Sequence, residues 1–363
     1  MSTGFATPAW RVVLNDTDIT PRIAPRLLEL RLSEKRSGDA DQIELQIHDH
    51  DQQMALPKRG VSLSVAMGTT QSGLVTKGRF HVDEVEYSGV PDIITIRGRS
   101  AALTGNLRIR RSDSWHQTTV GALLQQIVAR NQLTLRIEQR LAATPLAHLD
   151  QTNESDIALV TRLGKRFDAV ATVKAGALLF APIGSGKNLS GKDLPTVTID
   201  RADGDHLRWI ATDRDKYSGV RAYYITQAGL NRKSVLVGHS GHAKRLERTY
   251  ASREVAAEHA QAEWQRIQRG VATLQYTLAI GRADIYPEMH LRVTGCKPEI
   301  NNTPWIVAST VHTISSHTGL TTELELETLG RKEAHPIKED NVSTALQGAN
   351  EDNVDAPTAT NDD

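Results

Sequence analysis

The chain has 363 residues, of which 39% are hydrophobic and only 4% aromatic, and Lys plus Arg equal Asp plus Glu at 43 each. That length provides for two or three domains, and the low apolar and aromatic content argues against one large core. Zero net charge argues against a general nucleic-acid binder, because neutralising phosphates takes a basic surplus.

Residues 8–105 alternate as an all-β segment does. Trp10, Val12 and Leu14 precede the turn residues Asn15-Asp16, and Leu28, Leu30 and Leu32 alternate next. Ile43, Leu45 and Ile47, then Val61, Leu63 and Val65, give two half-buried strands around Leu56-Pro57. Phe80, Val82 and Val85, the turn Ser88-Gly89-Val90-Pro91-Asp92, and Ile94 and Ile96 complete a hairpin. Short strands with turns between them predict a barrel or sandwich.

Residues 106–190 change character. Thr118 or Thr119 caps a helix with Val120, Leu123, Leu124, Ile127 and Val128 on one face. Leu133, Leu135 and Ile137 form a strand. Ser155 precedes a second helix face of Ile157, Val160, Leu163 and Phe167, and 169–174 with 177–181 make a hairpin. The spacing predicts a small α/β domain inserted in the β-rich chain.

Residues 191–330 return to strands. Val220, Ala222 and Tyr224, then Val235 and Val237, are strand candidates. Ser252 begins a helix to Arg269 with a stripe of Ala256, Ala260, Trp264 and Ile267, and Gly270 is placed to cap it. Leu274, Tyr276, Leu278 and Ile280 then repeat the pattern that began at Ile43. Ile285-Tyr286-Pro287 stands for Leu56-Pro57, and Met289, Leu291 and Val293 for Val61, Leu63 and Val65. Trp305 and Val307 take the places of Phe80 and Val82, and the turn 315–319 leads to Leu324 and Leu326. The match is one of pattern, and it predicts an internal duplication. The tail from Arg331 holds eight acidic and three basic residues and no aromatics, a composition that predicts disorder.

Five local constellations invite chemistry and fail on their own terms. Gly184-Ser185-Gly186-Lys187 lacks the earlier Gly of a phosphate loop, where Ala181 stands, and has Asn188 instead of Ser or Thr. In His48-Asp49-His50-Asp51 only alternate side chains converge, too few for a tetrahedral metal. Asp200–His206 carries Ala202 where a calcium loop needs an oxygen ligand. His239 and His242 flank Ser240-Gly241 without an identifiable orienting acid. Glu84 and Glu86 share a strand face with no sign of the apolar pocket that an acid catalyst needs. Arg108, Arg110 and Arg111 form the densest basic cluster and suit a solvated surface. No catalytic, cofactor or metal residue is therefore assigned, and no specific nucleic-acid binding is expected. The single cysteine, Cys296, forbids an intrachain disulfide and suits a reducing cytoplasm. The N-terminus does not have the form of a signal peptide, and no apolar run reaches the ~18 residues of a membrane span.

The segments LPKRGVSLSVAMG, GRFHVDEVEYSGVPDIITIRGRSA, DQTNESD and WIVASTVHTISSHTGLTTELELE resemble the late control D proteins of contractile-tailed phages, baseplate hub proteins similar to the hub part of the VgrG spike. The resemblance runs from about Pro8 to Gly330. It implies a β-rich α+β chain with two similar β-barrel domains, 1–105 and 191–330, the small α/β domain 106–190 between them, an inserted helix at 252–269, and a disordered acidic tail, 331–363. It implies a homotrimer that joins a six-fold tail tube to a three-fold spike in a phage tail or tailocin baseplate, assembled in the host cytoplasm. Partners would be the spike, the tube, other baseplate proteins and the tape measure protein, with no catalytic activity and no membrane insertion. The alternatives are a tail-associated cell-wall hydrolase and the hub segment of a type VI secretion spike.

Overall fold

The computed structural model describes residues 6–37, 40–100, 105–174, 176–188, 191–211, 217–226, 232–330 and 338–340. Two compact units divide the chain, one formed by residues 1–216 and 265–332, the other by 217–264 and 333–363.

The first unit begins with β1 (Pro8–Leu14), β2 (Thr17–Asp18), the turn of helix α1 (Thr20–Ile23), β3 (Leu27–Lys35), β4 (Gln42–His48), β5 (Ser62–Thr69), β6 (Gly73–Ser88) and β7 (Ile93–Arg99). Alternation places Leu30, Leu32, Ile43, Leu45, Ile47, Leu63, Val65, Phe80 and Val82 in one buried cluster. An α/β segment follows: α2 (Gly105–Arg108), β8 (Arg110–Thr119), α3 (Val120–Arg130), β9 (Thr134–Ile137), α4 (Gln139–Ala142), β10 (Pro145–Ser155), α5 (Asp156–Phe167), β11 (Ala169–Lys174) and β12 (Ala177–Pro182). Thr119 and Ser155 cap α3 and α5 through the N–H groups of Ala122 and Ala158, as their positions predict. The five apolar positions of α3 are buried in a core of this segment's own. Helix α5 ends on Asp168 in the left-handed region, φ 49°, a position where glycine is the common residue.

The chain then returns to strands with β13 (Thr196–Asp200) and β14 (Gly204–Ala211). Next come β15 (Gly219–Ile225), β16 (Arg232–Gly238), β17 (Ala243–Tyr250) and α6 (Arg253–Arg269). They are followed by β18 (Ala272–Leu278), β19 (His290–Thr294), the turn of helix α7 (Pro298–Asn301), β20 (Trp305–Ser315), β21 (Gly319–Thr328) and β22 (Lys338–Asp340). In the second unit β17, β15, β16 and β22 form a separate four-stranded sheet. The strands around Val220 and Val235 therefore stand in a sheet of their own, because their edges pair with one another and with β17. The expected disorder of 331–363 falls outside the described residues except at Lys338–Asp340, which pair with Ser234–Leu236 through the backbone. Ile280 lies beyond β18 and is 62% exposed, so the alternation ends at Leu278.

Strands β8 and β10 pair with each other and β11-β12-β9 form a three-stranded sheet, while β1–β7, β13, β14 and β18–β21 form one sheet of thirteen, ordered β14-β18-β21-β20-β3-β4-β7-β6-β5-β1-β2, with β19 joining β20 and β13 joining β19. Its halves repeat. The neighbours β3-β4-β7-β6-β5-β1 correspond to β14-β18-β21-β20-β19-β13, with the last pairing antiparallel in one half and parallel in the other.

The register repeats as well. Leu63 faces Phe80 as Leu291 faces Trp305. Val82 faces Gly98 as Val307 faces Leu326, and in each half the next residue, Asp83 or Ala308, is skipped in a bulge. Ile43 faces Gly98 as Leu274 faces Leu326. The rungs set Ile96 against Leu324 and Gly98 against Leu326, so Ile94 corresponds to Thr322. Phe80 and Trp305 are both fully buried. Phe80→Ala and Trp305→Ala are each expected to cost about 3–5 kcal/mol, measured by urea unfolding. A loss confined to one of the two sites would contradict their equivalence.

Candidate assembly surfaces

The halves of the sheet meet where β20 pairs antiparallel with β3, from Ser309↔Lys35 to Ser315↔Glu29. Strand β20 is long enough to use one edge twice: Trp305 and Ile306 take β19, and the residues beyond the bulge take β3.

Ionic groups are buried along this seam. Lys77 Nζ lies 2.7 Å from Glu34 Oε2 and 3.0 Å from His312 Nε2, and the His312 ring also reaches Thr322 Oγ1 at 2.9 Å. Burial alone would raise the Glu34 carboxyl, but hydrogen bonds from His312 and Lys77 and their charges bring it down to about 2. Burial lowers the His312 ring, and the bond to Glu34 offsets this in part. Nearby, Lys174 reaches Asp41 at 2.9 Å. Arg36 lies 2.5 Å from Glu288 and 2.7 Å from Glu327. Arg269 forks onto Asp168, which fixes the left-handed end of α5. Burial pushes the Glu288 carboxyl up despite Arg36.

Among the described residues the sheet's open edges include those of β6 beyond its bulge and of β14. Strand β5 pairs with β6 only as far as His81, so the edge of 83–88 opposite β7 has no strand on it among the described residues. Strand β14 pairs, among the described residues, with β18 alone. Each of these two edges carries a large exposed aromatic, Tyr87 at 47% and Trp209 at 39%.

The residues that the sequence singled out are otherwise engaged. Asp49 and Asp51 both face Arg26, and the His48 and His50 rings stack with 3.3 Å between their Nδ1 atoms. No cluster of three or more His, Cys, Asp or Glu able to hold a metal occurs among the described residues. The Gly184 N–H donates to Glu288, and Lys187 pairs across a turn with Asp193. Asp200 and Asp203 form a reciprocal capping box on a 3-10 turn. Ser218 organises the 239–242 turn by accepting from the N–H groups of His239 and His242. Glu84 and Glu86, with Glu44, converge on the guanidinium of Arg97. Arg108 and Arg110 are exposed, and Arg111 lies 3.9 Å from the buried Asp156. Among the described residues no helix is long and apolar enough to cross a membrane.

A family model for the phage tail baseplate hub (GPD) matches residues 38–318. The chain belongs to the phage tail baseplate hub family. The probable baseplate hub proteins of Escherichia phages 186 and P2 are both 37% identical to it over 361 residues, covering 88% of this chain and 92% and 93% of theirs. In fold the hub is similar to a tail protein of Neisseria meningitidis MC58, with TM-score 0.68, 13% identity and coverage of 91% of this chain and 100% of the other. The 43 kDa tail protein of prophage MuSo2 from Shewanella oneidensis gives 0.64 at 14% identity, over 88% and 98%. A type VI secretion component of Escherichia coli gives 0.52 at 14%, over 85% and 75%.

The seam residues of the hub escaped sequence reasoning, although a signal was present. Glu34 continues the buried parity of Leu30 and Leu32, and His312 shares that of Ile314. The apolar set Phe80, Val82, Val85 also changes from even to odd numbers, which marks the bulge at Asp83. Removing Lys77 as Lys77→Met strands a buried carboxylate and is expected to cost about 3–5 kcal/mol. The acid sensitivity has a definite sign. Below pH 6.5 the unfolded chain protonates His312 before the folded chain does, and below pH 4.5 it likewise protonates Glu34 first. Both favour unfolding, so this pair lowers the thermal midpoint as pH drops from 7 to 4, against the opposite contribution of the raised Glu288 and Asp41 carboxyls. In His312→Gln the part of the fall just below pH 6.5 should shrink, and an unchanged profile there would contradict this assignment.

Proposed function

We propose that this baseplate hub works as a homotrimer that adapts a six-fold tail tube to a three-fold spike. In this reading each chain carries two similar β-barrel domains, 1–105 and 191–330, around the α/β domain 106–190, and three chains present six comparable barrels in a ring. The supporting observation is the rung-for-rung repeat, including the bulges at Asp83 and Ala308. Two equivalent modules per chain convert three chains into six positions, and a heterologous contact whose rotation closes makes the ring.

The role is mechanical and not catalytic: force from sheath contraction passes through the tube and hub into the spike. The engagement of Glu84 and Glu86 by Arg97 supports this over wall hydrolysis. Tube, spike, other baseplate proteins and the tape measure protein are the partners, and assembly takes place in the host cytoplasm. Mixing the hub with its cognate spike and averaging end-on views by electron microscopy should give a three-fold outline with six similar lobes. Monomers without bound spike would defeat the adaptor role, and a cleared peptidoglycan zymogram would defeat the purely mechanical one.

A further inference from the structure

The internal seam is a template for a contact that the single chain leaves unmade. At the seam, the strand beyond a bulge (β20) receives the strand that opens the other half (β3). By the repeat, β6 beyond its bulge is the counterpart of β20, and β14 is the counterpart of β3. Among the described residues of one chain neither of these edges has that partner.

The rungs translate directly. His312 stands four residues past the bulge at Ala308, and Tyr87 stands four past Asp83. Leu32 faces Ile43, and Trp209 faces Leu274, the counterpart of Ile43. Because His312 faces Leu32 at the seam, Tyr87 of one chain is due to face Trp209 of another.

Burial distinguishes the filled rung from the empty one. His312 and Leu32 are both 0% exposed, whereas Tyr87 and Trp209 are 47% and 39% exposed. Yet each of these aromatics sits opposite a buried residue of its own sheet, Ile94 at 2% and Leu274 at 0%. They lie on the core face and are uncovered because the neighbouring strand is missing. An open edge of this kind is a template for another chain.

We infer that β6 of one protomer pairs antiparallel with β14 of the next, on the rungs Val85↔Ala211, Glu86↔Ile210, Tyr87↔Trp209 and Ser88↔Arg208, so that the sheet runs on from chain to chain. The contact rests on the trimer reading and supplies its head-to-tail joint. An aromatic cross-strand pair forms on the core face, and on the other face exposed Arg208 comes within diagonal reach of Glu86. The two edges are different surfaces, so the contact is heterologous and propagates until it closes.

The test is disulfide trapping of the hub assembled with its spike, in a Cys296→Ser background. Directly opposed residues on antiparallel strands have Cα atoms about 4.5–5.5 Å apart, within the range that a disulfide spans. Tyr87→Cys/Trp209→Cys should run as a covalent trimer on a non-reducing gel and return to monomer on reduction. The single variants should remain monomeric, as should Tyr87→Cys/Ile210→Cys, whose side chains leave opposite faces. A mixture of the two single variants should give cross-linked dimers, since the bond joins different chains.

A trimer by native mass spectrometry without this cross-link would overturn the joint and leave the ring standing. Absence of any trimer would overturn both. Hydrogen exchange on the unaltered hub reads the same contact without substitution. Assembly should slow amides in 84–88 and 207–211 by roughly tenfold or more, and unchanged exchange in both segments would overturn the joint.

Discussion

Antiparallel pairing of β3 with β20 is the constraint from which the rest of the architecture follows. It turns two half-sheets with the same strand order into one sheet of thirteen strands. It is possible because β20 outlasts its partner β19 and keeps an edge free past the bulge at Ala308. A bulge bends a strand and increases its twist, so its recurrence at Asp83 gives each half the same local turn away from its short partner. Shape and register are thus repeated together, and the described residues leave open, at β6 and β14, edges of the same two kinds that the chain joins internally.

The seam carries its charges inside. Lys77, Glu34 and His312 satisfy one another in a triad, and Arg36 and Arg269 draw Glu288, Glu327 and Asp168 together nearby. Buried ion pairs add little net stability compared with well-packed apolar groups, but a partner removed leaves a costly orphan. Such a cluster tolerates one register and penalises slippage. The open edges carry a different chemistry, with Tyr87 and Trp209 where the seam has His312 and Leu32. The permanent joint within the chain is polar and buried, and the candidate joint between chains is aromatic.

Much of this order was legible in the sequence. Period-two alternation found β1 and β3–β7 of the first half and β18–β21 of the second but not β13 and β14, and the capping residues Thr119 and Ser155 located two helices because a hydroxyl before an apolar stripe has a local cause. The pattern Ile43-Leu45-Ile47 against Leu274-Tyr276-Leu278 gave the repeat in its observed register. What escaped was long-range. Alternation says which face of a strand is buried and not which strand lies beside it, so neither the β3–β20 seam nor the separate sheet of β15, β16 and β17 could be read. Glu34 and His312 were passed over although they keep the buried parity of their strands, because their compensating partner, Lys77, lies on another strand. Strand β22 was missed because Lys338–Asp340 have no strand-like composition, whereas strand pairing runs through backbone groups that every residue carries.

The central claim is that the intrachain register is reused between chains. A reconstruction of the assembled baseplate at side-chain resolution tests it most directly. The account predicts unbroken antiparallel pairing from β6 of each hub protomer into β14 of the next, with Tyr87 packed against Trp209. Protomers joined through other surfaces, with both strand edges facing solvent, would contradict it.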